Sequence, residues 1–403
     1  MTRHDSVKLA LVGCGGISTL HVNGYRELRA KGGDEVEFAV CCDISQEAAN
    51  TRADEIEGIQ GSRPRVVTDH ERLCDSDEVA GAVCCLPHWL HHQIGCALLE
   101  GGLHVMIEKP LGITLRAGQK LIDTAVRMGR ILATAEGTRR SLGARVCQWA
   151  FRDERLVGEP LGARVHTVRH EPFDLDDPAF KWRVVKNLVG GGMILDSGAH
   201  FADMMLCLFG EVAEAYCVMQ TLDDRRVEGV PVFGTAQVDV EDTWDAVIRF
   251  NSGAVVQYSY SNMLPCTDSV FGNYYGTEGR LDDAWAWPMH AFESGGIVTR
   301  TDGKSMSVEE ITEAYLAQSP QESLNRLFPH GCRDSFGIEL WDFADAIAND
   351  RSPEMDGHAG QRAKALCETL YESATLGQPV KYADVLSGKV RSYQEPIDEY
   401  WGL

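Results

Sequence analysis

Positive charge is scarce in this chain: 38 lysines and arginines stand against 60 aspartates and glutamates, a formal net charge of −22. Phosphate backbones and anionic membrane faces are held by basic patches, so neither nucleic acid nor a membrane is an expected partner. No apolar run approaches the ~20 residues needed to span a bilayer. Met1-Thr2-Arg3-His4-Asp5-Ser6 leads into a strand-like run without the apolar stretch of a signal peptide, so a cytoplasmic location is expected. Cys-x-x-Cys does not occur among the thirteen cysteines, which removes zinc ribbons and thioredoxin-like redox pairs. Cys41-Cys42 and Cys84-Cys85 lie within apolar runs, where a reduced thiol is a small hydrophobe. Internal repeats and low-complexity linkers are also missing.

At 403 residues the chain is too long for one core, and two domains are expected. Val7-Lys8-Leu9-Ala10-Leu11-Val12 is a near-continuous apolar run ending in glycines, the pattern of a strand buried on both faces of a parallel sheet. A helical stretch over 18–30 follows, then strands at 37–42, 81–86, 104–107 and 131–135 with helix-length segments between them. Strand alternating with helix predicts a doubly wound α/β domain over 1–136. Residues 137–403 read as a second α/β domain with a large, open, mostly antiparallel sheet. Its clearest signal is a hairpin of 243–250 and 254–260 around Asn251-Ser252-Gly253, with further strands at 163–169 and 214–221. Residues 221–242 read as a loop insertion. The tail over 338–377 is helical, interrupted at Pro353 and Gly357, and its helices are candidates to pack back on the first domain.

The first strand runs into Gly13-Cys14-Gly15-Gly16-Ile17-Ser18, which opens a helix. In that context Gly13 permits a tight turn, Gly15 lets a diphosphate approach the backbone, and the helix N-terminus offers N–H groups to it. Ser18 replaces the usual third small residue. Asp43 ends the second strand, where a carboxylate accepts ribose hydroxyls and repels a 2′-phosphate, so NAD is expected over NADP. The competing reading is an ordinary strand-to-helix turn with Asp43 as a helix cap.

Glu108-Lys109-Pro110 directly follows another strand, so Lys109 is expected on the ligand side of the sheet. Pro110 restricts Lys109 to an extended backbone, and a cis bond between them is open. Asp196, His200 and Asp203 are spaced i, i+4 and i+7, one face of a helix. An imidazole exchanges protons near neutral pH, and a neighbouring carboxylate orients it or binds a substrate hydroxyl. A solvated lysine and a capped helix face are the plain alternatives. Leu86-Pro87-His88-Trp89-Leu90-His91-His92 reads as a loop with His91 capping the next helix, and no metal is expected there, because adjacent histidines face different ways.

These motifs together resemble the glucose–fructose oxidoreductase, inositol dehydrogenase and MocA family (Gfo/Idh/MocA). The similarity runs through Gly13 to His21, Asp43, Pro87-x-x-x-His91, Gly102-x-His104-Val105-x-x-Glu108-Lys109-Pro110, Trp182-Arg183, Gly191-Gly192, Asp196-x-Gly198-x-His200-x-x-Asp203 and Gly276-Thr277-Glu278-Gly279. It implies a Rossmann domain followed by an α/β domain whose open sheet often joins subunits, hence a homodimer or homotetramer. It also implies NAD contacts from Gly13, Gly15, Gly16, Ile17, Ser18, Asp43, Pro87, His91, Glu108, Lys109, Trp182 and Arg183. The expected substrate is a sugar, glycoside or cyclitol, with Lys109 on the reacting oxygen, Asp196 positioning the substrate and His200 taking the proton. The asparagine common after the proline is His88 here, which leaves this stretch's contact with the nicotinamide ribose open. Trp182, Tyr274, Tyr275, Trp285 and Trp287 are aromatic candidates for a sugar face, the last two first of all for core or interface. Two other readings remain: a glycosidase working by transient NAD-dependent oxidation, elimination and re-reduction, and a non-catalytic sensor of NAD and sugar.

Overall fold

Continuous apolar runs become buried strands, and short polar caps decide where the helices between them begin. The computed structural model describes residues 6–74, 77–265, 267–284 and 291–403, so Trp285 and Trp287 lie outside the described residues. It divides into two units: residues up to Arg140 with Pro320–Gln361, and Ser141–Ser319 with Arg362–Leu403.

The first unit holds a six-stranded parallel sheet of β1 (Val7–Val12), β2 (Val36–Cys42), β3 (Arg65–Val67), β4 (Gly81–Cys84), β5 (His104–Glu108) and β6 (Leu132–Ala135), in the order β3-β2-β1-β4-β5-β6. Every residue of β4, a central strand, and of β6, at the edge, is buried, as strands with both faces covered require. The crossovers are α1 (Ser18–Ala30), α2 (Gln46–Gln60), α3 (His88–Glu100) and α4 (Leu115–Met128). Ser45 caps α2 by accepting the Ala48 N–H, and Thr114 caps α4 by accepting the Ala117 N–H; each such cap contributes about 1 kcal/mol. Both helices stop at a left-handed glycine, Gly61 and Gly129. The later helix Ser335–Asn349 crosses α1 at glycines: a Cβ on Gly24 would lie 2.3 Å from the Gly337 nitrogen.

The second unit is built on a nine-stranded sheet. Its strands are β7 (Pro160–Val168), β8 (Val212–Gln220), β11 (Thr243–Phe250), β12 (Val255–Ser261), β13 (Ser269–Gly276), β14 (Gly279–Asp283), β15 (Gly296–Arg300), β16 (Ser305–Met306) and β17 (Val380–Lys381), ordered β16-β15-β14-β13-β7-β12-β11-β8-β17. Neighbours are antiparallel except β7 and β12. The hairpin read from the sequence is β11 and β12. Residues 221–242, read as a loop, instead contain a small antiparallel pair, β9 (Arg226–Val230) and β10 (Gly234–Gln237). Side chains alternate along β11: Trp244, Ala246, Ile248 and Phe250 are buried, while Asp245, Val247 and Arg249 face out. Tyr274 is fully buried against Phe151, Phe209 and Phe292, which makes it a core residue and removes it from the sugar-stacking candidates. The outward face of the sheet exposes Tyr216, Val218, Val247, Phe271 and Ile297.

The described cysteines are reduced thiols, and all but Cys74 are buried. No described helix is long and apolar enough to cross a membrane.

Candidate active site

In the first unit the sequence-predicted residues gather along one edge. Gly13, Asp43, Leu86-Pro87 and Lys109 follow β1, β2, β4 and β5, which are neighbours in the sheet, so all four stand at its carboxyl edge around the point where strand order reverses. That crevice is where open parallel sheets bind ligands.

Gly13 has φ +88°, and a Cβ there would sit 2.3 Å from the Cys85 carbonyl oxygen, so the turn requires glycine. Cβ atoms on Gly15 and Gly16 would meet nothing within 4 Å, which leaves the backbone open to a ligand. The N-terminus of α1 has no side-chain cap and no acid in its first turn. Uncapped N–H groups at a helix start suit an anion, and a diphosphate fits this cradle. Ser18 fills the third small position by donating to the Gly15 carbonyl at 2.6 Å. Arg52 from α2 braces it, donating to Ser18 Oγ at 2.8 Å and to Thr19 Oγ1 at 2.6 Å. Nothing in the motif pattern pointed to Arg52. The Asp43 carboxylate accepts the N–H groups of Cys14 and Ser45, both at 2.7 Å, and Ser45 rather than Asp43 caps α2. Half-buried and held in this way, Asp43 keeps lone pairs for further donors.

His88 begins α3, with Pro87 as the residue before it, so this stretch is the start of a helix rather than the expected loop. The fully buried His91 ring lies between two backbone carbonyls, 2.8 Å from that of Pro110 and 2.8 Å from that of Leu86. It ties the segments after β4 and β5 together. Burial lowers the pKa of His91 despite those carbonyls, so the neutral ring donates to one of them. The Lys109–Pro110 bond is cis, and Lys109 itself is half-buried. The Glu108 carboxylate turns inward to His21 Nε2 at 2.7 Å, and His21 Nδ1 lies 3.6 Å from Glu339. Burial, then the nearby Glu108 charge, pushes the Glu339 carboxyl well up. This cluster of His21, Glu108 and Glu339 joins three elements distant in sequence, which is why no local motif announced it. His91 spends both ring nitrogens, and Glu108 its Oε1, within the protein.

In the second unit Asp196 and His200 do not share one helix. A short helix, Met193–Asp196, ends before Ser197, and Gly198–Phe209 starts a new one carrying His200 and Asp203. The spacing argument assumed an unbroken helix. Asp196 is buried and ion-paired with Arg183, whose guanidinium lies 4.9 Å above the Trp182 ring. Two residues predicted to touch the cofactor, Trp182 and Arg183, thus form one assembly with the residue predicted to position the substrate. His200 is half-buried, and Asp203 is fully buried one turn on.

An open glycine cradle with an acid beside it, at the switch point of a parallel sheet, defines a dinucleotide-binding Rossmann domain. With its second unit, this is the two-part architecture of a class of oxidoreductases. The model of an oxidoreductase family with NAD-binding Rossmann fold matches residues 7–136, and that of the GFO/IDH/MocA C-terminal domain matches residues 150–282. The chain belongs to the GFO/IDH/MocA oxidoreductase family. It is 29% identical over 218 residues to 1,5-anhydro-D-fructose reductase of Ensifer adhaerens, covering 53% of this chain and 60% of that one. Levoglucosan dehydrogenase of Pseudarthrobacter phenanthrenivorans is 26% identical over 226 residues, 53% of this chain and 57% of that protein. The matched stretch therefore spans less than two thirds of these curated relatives. A solved levoglucosan dehydrogenase in complex with NADH and levoglucosan superposes with a TM-score of 0.74 at 21% identity, covering 94% of this chain and 99% of that one, and so shares the fold.

Proposed function

We propose that the protein is an NAD-dependent dehydrogenase of a secondary alcohol on a sugar, glycoside or cyclitol. The observation that carries this reading is the open cradle at Gly15 and Gly16 beside the carboxylate of Asp43. Gly13 to Ser18 would hold the diphosphate, and Asp43 the adenosine ribose. When bound, NAD supplies the acceptor for the hydride that leaves the alcohol carbon. His200 takes the hydroxyl proton, and Lys109 stabilises the negative charge developing on that oxygen as it becomes a carbonyl. Asp196, braced by Arg183, orients the neighbouring hydroxyls. The names of the relatives, an anhydrofructose reductase and a levoglucosan dehydrogenase, support the substrate class.

The test is nicotinamide absorbance with NAD and NADP in parallel across inositols, aldoses, anhydro sugars and simple glycosides. Net NAD reduction with one polyol class is the expected result. Release of an aglycone without net reduction would replace this reading with the redox-cycling glycosidase.

Preference for NAD rests on Asp43. Losing hydrogen bonds from ribose hydroxyls to a charged acceptor weakens binding by about tenfold to a hundredfold, and Asp43→Asn also removes the repulsion of a 2′-phosphate. The expected change is a fall in the NAD-to-NADP ratio of kcat/KM, which general loosening of the turn would leave unmoved. A native enzyme that prefers NADP contradicts the assignment.

The exposed apolar residues of the open sheet support a homodimer or homotetramer. Tyr216 and Val247 are cross-strand neighbours there. Light scattering is expected to give a multiple of 44.4 kDa. The double variant Val218→Glu, Val247→Glu should lower that mass, and a monomeric native protein rules the interface out.

A further inference from the structure

A buried carboxylate just upstream of the hairpin takes no part in the mechanism above. Glu241 is 4% exposed and stands two residues before β11. Its Oε2 accepts the Gly192 N–H at 2.8 Å, and its Oε1 accepts the Ile194 N–H and the Tyr371 hydroxyl, each at 2.8 Å. The Gly192 carbonyl in turn accepts the N–H groups of Leu195 at 3.1 Å and Asp196 at 2.9 Å, and the Ser197 carbonyl accepts that of His200 at 3.2 Å. The backbone that carries Asp196 and leads to His200 is therefore fastened to one side chain. Two glycines make the fit. A Cβ on Gly192 would lie 2.1 Å from the Glu241 carbonyl oxygen, and one on Gly191 would lie 2.2 Å from the Tyr371 hydroxyl.

Resting on the dehydrogenase reading, we infer that Glu241, held by Tyr371, is a positioning residue that sets Asp196 and His200 in place, and that its ionised form is the competent one. Three donors point at its two oxygens, so an added proton would find no acceptor among these partners. Burial pushes the Glu241 carboxyl up to about 7, against the Ile194 and Gly192 N–H groups and the Tyr371 hydroxyl, which pull it down. The titratable groups around it are Tyr371 and Cys367 on the helix Gly357–Leu376, Tyr393 from the C-terminal segment, Cys217 on β8, and Tyr258 and Tyr260 on β12. Lys186 is the nearby cation, itself influenced by Glu368, Asp239 and Glu372. A carboxyl raised in the folded state binds its proton more tightly there than in the unfolded chain. Between about 4.5 and about 7, acidification thus favours folding through this group. Because the three donors lower this carboxyl's pKa, a loosened state that loses them but keeps it buried binds the proton more tightly still. Lower pH is therefore expected to loosen the placement of Asp196 and His200 without unfolding the unit.

Two measurements test this. The first is amide hydrogen exchange over residues 192–196 of the native protein at about pH 6 and about pH 8, corrected for intrinsic rates. Protection of Gly192 and Ile194 should be lower at the acid value. The second is the pH profile of kcat in Tyr371→Phe. Losing a donor to the carboxylate should move the acid limb upward by about one unit, while NADH binding stays unchanged. Glu241→Gln should lower kcat about tenfold or more and abolish the pH response of those amides. Should that variant fail to fold, the exchange data and Tyr371→Phe still decide. A limb unmoved by Tyr371→Phe, or protection independent of pH, overturns the inference. The exchange experiment needs no substrate, so failure of the dehydrogenase reading would register separately, as absent turnover beside intact pH-dependent protection.

Discussion

Replacing His200 or Lys109 with alanine is expected to lower kcat by about 10²–10⁴-fold while leaving NADH affinity within a few-fold of native. The two losses differ in kind. His200 is proposed to accept the hydroxyl proton, so His200→Ala turnover should recover partly with rising pH or added imidazole, which supply another acceptor. Lys109 is proposed to stabilise charge on the reacting oxygen, an interaction that strengthens only as the bond breaks, so Lys109→Ala should depress kcat more than it raises KM. Neither side chain belongs to the glycine cradle, and fluorescence of bound NADH is the control. Native-like turnover in either variant eliminates that residue from the chemistry. Lost NADH binding with unchanged turnover per bound cofactor moves it to the cofactor site.

The second large effect falls on stability. Lys364 and Glu368 form an ion pair at 2.5 Å with side chains 1% and 0% exposed, one turn apart on the helix Gly357–Leu376. Lys364→Met leaves the carboxylate buried without its countercharge, and breaking such a pair costs about 3–5 kcal/mol. Burial already holds the Glu368 carboxyl up near 7, with Lys364 pulling against it. Removing the lysine raises it further. A raised carboxyl favours the folded state only while protonated, so its contribution falls as pH rises from about 4.5 through that value. Lys364→Met should therefore be far less stable than native at about pH 8.5 and closer to native at about pH 5.5, in guanidinium melts. The double variant Lys364→Met, Glu368→Leu should recover most of the loss at both values, since it leaves neither charge of the pair buried alone. Equal destabilisation at both pH values would show that packing, not the unpaired charge, sets the cost.

Much of the first unit was legible because its signals are local. A buried parallel strand is a run of apolar residues, as in Val7–Val12, and the glycine turn and Asp43 follow two such runs directly. The order of strands and helices, the hairpin of β11 and β12, and the crevice residues all come from patterns a few residues long. Errors arose where a contact distant in sequence overrode the local pattern. Asp196 and His200 have helical spacing, yet one helix ends at Asp196 and another begins at Gly198, after a turn pinned to Glu241. Tyr274, a candidate for a sugar face, is claimed by three phenylalanine rings. The stretch 221–242 lacks the strong alternation of a core strand, and β9 and β10 form there mainly by pairing with each other.

By itself, then, the sequence determined which residue types stand at the ends of which strands, because main-chain geometry and hydrophobic period are properties of neighbours along the chain. Tertiary structure alone decided that His21, Glu108 and Glu339 would meet, that Arg52 would brace the turn at Ser18, and that Glu241 would hold the segment bearing Asp196. Those contacts bridge 87 residues between His21 and Glu108 and 47 between Ile194 and Glu241. A buried carboxylate has no sequence period of its own, and its partners are chosen only when the core closes and each polar atom left inside must find one.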